Sequence, residues 1–282
     1  MRVRLKKSCI SSYKPQVNGS CNSVRQNSRR TLFASDLIIA EEIQALPELP
    51  PSGCTTTPKF VITFSGAFEF KTARSVSWVD PSRLLLVQAD REFADRHVVP
   101  GVGHQSVVLT PAVAVLDELA ASAQLAFTDA LRSCSLRVQM LSQLMRRTRD
   151  PMAAEELGIA TMSAALGNDH RVGPSDPHCV RKAKLLLHSR PSERWTLTNV
   201  ASLIGVSPVY LTQLFKRTEG VPLYRYQLRM RLGRALAELP DCDDITNLAL
   251  ELGFSSHSHF TAAFRSAVGL TPSVFRSRAR AG

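Results

Sequence analysis

The sequence predicts an α+β protein in which a strand-rich N-terminal half precedes an all-helical C-terminal domain. Three observations lead to this fold class. Short apolar runs separated by turn residues occupy positions 36–110 and indicate strands. Apolar residues then recur with helical spacing over positions 111–166. Between positions 197 and 276 one helical pattern occurs twice, which makes it an internal repeat.

The composition is that of a globular protein with two domains. The chain has 282 residues, of which 44% are hydrophobic and 21% charged, and these are ordinary values for such proteins. No stretch reaches the roughly eighteen apolar residues of a membrane span. No apolar core follows the basic start, which disfavours a signal peptide. We therefore expect a cytoplasmic protein with no membrane partner.

Positive charge is concentrated at the two ends of the chain, whose formal net charge is +11. Residues 1–30 hold eight Lys or Arg and no acid, and their polar, aperiodic sequence predicts a disordered basic tail. Two interpretations of this tail stay open: added nonspecific DNA affinity, or an unselected leader, up to a start codon chosen too far upstream. Residues 175–282 hold fifteen Lys or Arg against eight acids, and this second excess supports a DNA footprint.

The strand-rich part of residues 31–167 predicts a small barrel or sandwich, because Pro, Gly and Asp separate its short apolar runs. These runs cover residues 37–39, 60–64, 67–70, 76–79, 84–87 and 106–109. A barrel of this size can enclose one small ligand. Ligand contact and core packing explain its large aromatic side chains equally well, and these are Phe60, Phe64, Phe68, Phe70 and Trp78.

Helices are predicted over residues 111–166, where apolar side chains recur and Pro151 starts a second segment that ends near Gly167. The recurring residues are Val115, Leu116, Leu119, Leu125, Leu131, Leu136, Met140, Leu141, Leu144 and Met145. A seam between two subunits and a helix that caps the strand layer give the same pattern. Residues 168–177 are polar and rich in Gly and Pro, which predicts an interdomain linker.

The first copy of the repeat, residues 201–216, predicts a helix-turn-helix. Gly205 can take the positive φ that ends a helix, and Ser207 with Pro208 can cap and start the next one. That second helix buries an apolar stripe made of Leu211, Leu214 and Phe215.

The second copy, residues 249–265, repeats this design. Gly253 takes the place of the turn glycine, and either Ser255 or Ser256 can cap the following helix, which buries Phe260 and Phe264. In such units the second helix enters the major groove of DNA.

A basic helix over residues 222–239 is predicted to join the copies. Its inward positions are Leu223, Tyr226, Met230, Gly233 and Ala237, and its outward positions are Arg225, Arg229, Arg231 and Arg234. At 1.5 Å per residue it spans about 25 Å. With the diameters of its neighbours, this length can set two recognition helices about one DNA turn, roughly 34 Å, apart.

The repeat resembles the DNA-binding domain of the AraC/XylS family of bacterial transcription regulators. The run GFSSHSHF at 253–260 and the closing GLTPSVFR at 269–276 carry the resemblance, which extends over residues 178–278. The resemblance implies a seven-helix domain in which both copies contact double-stranded DNA. It also implies transcription control, usually activation through RNA polymerase, and an N-terminal domain that senses a small-molecule effector or forms a homodimer.

In this family the N-terminal domain is often a cupin-like β-barrel, and the order of residues 60–66, 80–81 and 100–103 is similar to such domains. Cupin enzymes hold a metal with clustered His and Glu. Here the strand region offers His97 and His104, with Glu69 and Glu92 at unmatched spacing, so we interpret the histidines as neutral surface residues. The helices at 111–166 are the part of the family that pairs two subunits.

The base-reading side chains are predicted from helix geometry, because outward residues near the start of a recognition helix meet the groove. They are Pro208, Val209, Thr212 and Gln213 in the first copy and His257, Ser258, Thr261 and Ala262 in the second. Gln213 can pair with adenine, and Val209 or the Thr212 methyl can contact a thymine methyl. Ala262 stands where family members often carry a long basic residue, which predicts weaker reading by the second copy. A solvated helix face is the alternative interpretation of each position.

Phosphate contacts are predicted from basic side chains and from the backbone N–H groups of capped helix starts. The predicted residues are Ser207, Lys216, Arg217, Ser256, Arg265 and Arg276.

No catalytic residue, cofactor or metal is predicted. His257 and His259 lie on different helix faces, so they cannot both bind one metal ion. The six cysteines do not have zinc-ligand spacing. The sequence also has no Gly-rich phosphate loop and no nucleophile elbow. Three alternatives to an effector-controlled regulator remain: a cupin-type metalloenzyme fused to a DNA-binding domain, a DNA-repair sensor with a four-cysteine zinc site, and a DNA-binding protein without a ligand.

Overall fold

Strands and helices alternate in blocks along the computed structural model, which describes residues 27–122, 130–167, 171–172 and 177–281. The strands in this part are β1 (Ser28–Ala34), β2 (Ile38–Ala45), β3 (Ser52–Thr55), β4 (Lys59–Ser65), β5 (Phe68–Lys71), β6 (Val76–Val79), β7 (Arg83–Val87), β8 (Arg91–His97), β9 (His104–Pro111), β10 (Ala130–Ser133) and β11 (Arg171–Val172). The helices are α1 (Val113–Ser122), α2 (Leu136–Arg147), α3 (Pro151–Leu166), α4 (His178–Ser189), α5 (Leu197–Ile204), α6 (Pro208–Glu219), α7 (Leu223–Glu238), α8 (Ile245–Glu251), α9 (His257–Val268) and α10 (Pro272–Ala281), with a 3₁₀ turn at Leu239–Asp241.

The predicted α+β class is confirmed, with a sheet layer before a helical domain. The strands form a seven-stranded sheet in the order β1-β2-β9-β4-β7-β10-β11 and a four-stranded sheet in the order β3-β8-β5-β6. All strand pairs with a described register are antiparallel. Within the described strands no hydrogen-bonded pair closes the two sheets into a barrel, so the cupin-like barrel remains a prediction.

Alternation along the strands builds a core on each face of the larger sheet. In β4, Phe60, Ile62 and Phe64 join a core that includes Val138 of α2 and residues of α3. Val61, one position out of step, packs on the core between the two sheets. Because both faces are covered, the strands read as continuous apolar runs rather than as alternating ones.

Three details of the N-terminal part differ from the sequence prediction. Residues 28–30, placed in the basic tail, belong to β1, where Arg29 pairs with Glu41 and Arg30 Nη2 lies 2.6 Å from Glu42. Residues 1–26 of the predicted tail and Leu125 lie outside the described residues. Leu131, predicted helical, lies in β10, because this segment pairs with β7 and Leu131 is buried in the core between the two sheets. Of the predicted linker, only residues 171–172 and 177 are described, and the first two form β11.

Helix α2 is covered on two sides within its own chain. Val138 and Met145 pack into the sheet core. Leu136, Met140 and Leu144 pack instead against the core of the second helix-turn-helix copy. The sequence allowed two interpretations of these apolar residues, a seam between subunits or a helix that caps the strand layer. They pack against other parts of the same chain, which favours the capping helix.

In the described C-terminal part, seven α-helices pack around two apolar cores that share α7. The first core joins α4, α5 and α6 to the start of α7 through Tyr226 and Met230. The second joins α8, α9 and α10 to its end through Leu232, Ala235 and Leu236. Each repeat copy therefore has its own core, and one helix connects the two.

The helices in the described part of the chain include none long and apolar enough to cross a lipid bilayer.

Candidate nucleic-acid interface

The first helix-turn-helix unit, α5 with α6, is held by caps at each helix end. Thr196 Oγ1 accepts from the Asn199 N–H at 3.1 Å to start α5. Gly205 ends it at φ 77°, a left-handed conformation that favours glycine. Ser207 Oγ then accepts from the Tyr210 N–H at 3.2 Å, with Pro208 in the first turn of α6. The turn predicted from these residue types is the one observed.

The second unit, α8 with α9, uses the same devices. Asp244 caps α8, and Gly253 forms the turn at φ 83°. A Cβ atom at position 253 would also lie 3.0 Å from the Ser192 carbonyl oxygen. The turn therefore needs glycine both for its positive φ and for the lack of space. Of the two serines left open as the cap of α9, Ser256 accepts from the His259 N–H at 3.1 Å. Ser255 bonds instead to the His259 ring.

The predicted base-reading side chains of the first unit lie together on the outer face of α6. Val209 is 67% exposed, and Gln213 is exposed one turn later. Pro208 and Thr212 are half-buried, and Thr212 Oγ1 donates to the Pro208 carbonyl oxygen at 2.9 Å. That bond satisfies the hydroxyl, which leaves the Thr212 methyl as its outward group.

Tyr210 joins this face and was missed by the sequence prediction. Its side chain is 50% exposed in the first turn of α6, beside Val209. The sequence did indicate that Tyr210 is exposed, because it lies outside the buried stripe of Leu211, Leu214 and Phe215. An aromatic ring with a hydroxyl at this position can contact base edges, sugar or phosphate.

The second reading face is made of smaller side chains. His257, Ser258 and Ala262 are exposed, and Thr261 is half-buried with its hydroxyl 3.5 Å from His257 Nε2. His259, which the sequence prediction left out of this set, is exposed but is tied to Ser255 and stacks edge-on against Phe254. In the described part of the chain, no group of three or more His, Cys, Asp or Glu could hold a metal ion.

The predicted phosphate-contacting side chains lie at the same two helices. Lys216, Arg217 and Arg265 are exposed, as are the capping residues Ser207 and Ser256. Arg276 on α10 is different, because it is half-buried and its Nη1 donates to the carbonyl oxygens of Cys242 and Asp243 at 3.3 and 3.1 Å. It ties α10 to the segment before α8 and so supports the second unit from behind.

The arginines of α7 serve the fold more than the sequence pattern suggested. Arg225 is exposed as predicted. Arg231 Nη2 donates to the Glu193 carbonyl oxygen at 3.1 Å, and burial together with the neighbouring Arg194 charge lowers its pKa. Arg234 pairs with Glu238 at 3.0 Å on the same helix. With 16 residues, α7 is about 24 Å long.

A buried ionic cluster joins the first unit to the N-terminal sheets. We call it the Asp80 cluster: Asp80 and Arg83 come from the β6–β7 region, Lys184 and His188 from α4, Glu219 from the end of α6, and Tyr226 from α7. Arg83 Nη2 and Lys184 Nζ lie 2.6 and 2.7 Å from Glu219 Oε1. Tyr226 Oη and Trp78 Nε1 donate to Asp80 Oδ2 at 2.8 and 2.7 Å. Sequence reasoning did not find this cluster.

Burial and charge together set the protonation states in the Asp80 cluster. Burial alone would raise the pKa of Asp80, but Lys184, His188 and Arg83 hold it well below its ordinary value. Burial and the charges of Asp80 and Glu219 raise the pKa of Tyr226 well above its ordinary value. At neutral pH Asp80 is therefore a carboxylate and Tyr226 a phenol donor.

The aromatic side chains predicted to contact an effector lie in three different parts of the structure. Phe68 and Phe70 line a cavity between the two sheets. Phe60 and Phe64 lie on the face of β4 that points away from this cavity, so they belong to the core beneath α2 and α3. Trp78 belongs to the Asp80 cluster. The interpretation of His97 and His104 as surface residues is wrong, because His97 is half-buried and His104 is 4% exposed at the same cavity.

Comparisons with known proteins agree with this geometry. A family model described as a helix-turn-helix domain matches residues 200–278. The regulator ArgR of Pseudomonas aeruginosa is 33% identical over 114 residues, 40% of this chain and 34% of the relative. The activator RhaR of Klebsiella pneumoniae is 27% identical over 154 residues, 51% of this chain and 54% of the relative.

Solved structures and chain lengths complete the comparison. The structure of ToxT from Vibrio cholerae aligns with 90% of this chain and 98% of its own, at 14% identity and a TM-score of 0.36. Matches to the first curated relatives span about a third of their length, 34% and 36%.

Proposed function

We propose that the chain is a DNA-binding transcription regulator of the AraC family and that its two helix-turn-helix units read successive major grooves of one duplex. The observation that carries this proposal is the pair of capped recognition helices, α6 and α9, whose first-turn side chains are exposed while each helix buries its other face in a separate core. A single helix, α7, connects the cores.

Each unit contributes differently to binding. The first presents Val209, Tyr210 and Gln213, which offer both apolar contact and an amide that can pair with adenine. The second presents Ser258 and Ala262, which are short and read little on their own. We propose that the first unit supplies most of the sequence discrimination, while the second adds affinity through Arg265 and the capped start of α9.

Regulation follows from the way the domains are joined. The N-terminal sheets hold the first unit through the Asp80 cluster, and α2 packs on the core of the second. A change in the N-terminal domain therefore has a physical route to both units, whether it comes from a small-molecule effector or from homodimer formation. The name of RhaR as an activator supports an activating role. We propose that this role is exerted through RNA polymerase in the cytoplasm. The matched relatives are regulators rather than enzymes.

Replacing Gln213 with alanine should cost about 1–3 kcal/mol of binding at one base position of the site. Replacing Lys216 with alanine should weaken all sites alike and flatten the plot of log affinity against log salt by about one unit. Fluorescence anisotropy with the full chain, on a preferred site and its single-base variants, measures both effects.

The control for charge is Lys71→Ala, which removes an exposed lysine from β5, far in sequence from the recognition helices. It should leave the salt slope unchanged. If Gln213→Ala instead loses the same affinity on every base variant, Gln213 is not reading a base and its assignment fails.

A further inference from the structure

A partly open cavity lies between the two sheets of the N-terminal part. This inter-sheet cavity has a volume of about 210 Å³. At roughly 30 Å³ per water molecule it holds about seven waters, or one small organic molecule. Its walls are mostly apolar, with Phe68, Phe70 and Phe93 among them, and two titratable side chains, Asp95 and His104, share it.

The contacts of His97 and His104 indicate which nitrogen of the His104 ring carries the hydrogen. His97 Nδ1 lies 3.1 Å from the Pro47 carbonyl oxygen, which can only accept, so this nitrogen carries the hydrogen. His97 Nε2 lies 2.9 Å from His104 Nδ1, and we assign the shared hydrogen to His104 Nδ1, so that His97 accepts. Burial, with His97 adding to it, lowers the pKa of His104 to about 3, so this ring is neutral. Its Nε2 therefore presents a lone pair.

The neighbour of that lone pair is a second acceptor. Asp95 Oδ2 lies 3.9 Å from His104 Nε2, too far for a hydrogen bond. The Asp95 side chain is only 7% exposed, and its Oδ1 is buried without a hydrogen-bond partner. When Asp95 is ionised, the carboxylate and the imidazole are both acceptors without a donor between them, and Asp95 Oδ1 has no hydrogen-bond partner among the described residues.

We propose that the inter-sheet cavity binds a small primary amine whose ammonium group lies between Asp95 and His104. This ligand class deepens the proposed regulation through the N-terminal domain and rests on it. An ammonium nitrogen has three donors on one atom, so it can bond both acceptors at once, whereas an alcohol has one donor. Its charge also pairs the buried carboxylate. The apolar body packs on Phe68, whose ring stacks on His104 at 4.0 Å, and on Phe70 and Phe93.

Proton exchange accompanies this binding. Burial raises the pKa of Asp95 to about 8, so the empty cavity holds a neutral carboxyl group at pH 7. Binding the ammonium ion requires the carboxylate and releases that proton to solvent. The other titratable groups that line the cavity are Arg29, Cys54 and Lys59, with His97 behind His104. Apparent affinity should rise about tenfold from pH 6 to 7 and level off above about pH 8.

Calorimetric titration of the full chain with benzylamine, and with benzyl alcohol as its uncharged counterpart, tests the proposal. We expect the amine to bind at least tenfold more tightly than the alcohol at pH 8. Asp95→Asn keeps the shape of the side chain and should lower amine affinity more than tenfold and remove its pH dependence. His104→Gln should lower it severalfold. Lys71→Ala, an exposed residue of β5 outside the cavity lining, should leave it unchanged.

Equal binding of amine and alcohol, or an Asp95→Asn variant that folds normally by circular dichroism and binds the amine like the parent, would overturn the ligand class. The same preparations are assayed for DNA binding by anisotropy. A chain that binds DNA but ignores the amine refutes only this inference, whereas a chain that binds no DNA refutes the proposed function.

Discussion

Replacing Asp80 with alanine should lower the free energy of unfolding by about 3–5 kcal/mol, which is the usual cost of removing one partner from a buried ion pair. Asp80 is fully buried and accepts from Tyr226 and Trp78. Without this carboxylate, Lys184 loses an acidic partner whose Oδ2 lies 3.4 Å from its Nζ. Urea denaturation of the full chain at pH 7 measures the loss.

The matched control for this prediction is Glu193→Ala. Glu193 forms an exposed pair with Arg190, at 3.5 Å, so its loss should cost less than about 1 kcal/mol. A loss of that small size for Asp80→Ala as well would mean that the Asp80 cluster does not hold the domains together.

Acid should act on the same cluster. Because the folded pKa of Asp80 lies below its unfolded value of about 3.9, its contribution to stability is fully present above pH 4 or so. The contribution is lost only as the pH falls through the folded pKa.

Replacing Phe264 with alanine should cost about 3–5 kcal/mol and remove DNA protection by the second unit. The ring is fully buried between Phe260 and Phe275, with centroids 5.6 and 5.9 Å away, and α9 has few other large anchors. Phe215→Ala makes the corresponding cavity in the first core. Urea denaturation and footprinting of both variants give the comparison.

Each phenylalanine variant should lose protection at a different half of the bound site, since the two cores are separate. Phe264→Leu and Phe215→Leu keep more of the volume and provide folded versions if the alanine variants do not fold. Loss of the same protected stretch in both variants would contradict two independent reading units.

The local parts of this structure were predictable because short-range chemistry determines them. Gly205 and Gly253 supply the left-handed turn, and Ser207 and Ser256 supply the caps, all within a few residues of the helices they limit. The continuous apolar run at 60–64 predicted a strand, although not which of its side chains faces which core.

The long-range parts were not predictable from the pattern. Asp80 and Tyr226 are 146 residues apart, and nothing near either residue indicates the other. The same holds for Asp95, whose lack of a partner is visible only when β8 and β9 bring it near His104. A half-buried arginine such as Arg231, which donates to the Glu193 carbonyl oxygen 38 residues away, is predicted as a surface charge for the same reason.

Hydroxyl-radical footprinting of the full chain on a fragment of its own genome to which it binds tests most directly whether the two units read one duplex. The account predicts two protected stretches on one face of the DNA, about one helical turn or roughly 34 Å apart. It also predicts that Gln213→Ala alters base preference in only one of them. A single protected stretch at low and at physiological salt would contradict reading by two units.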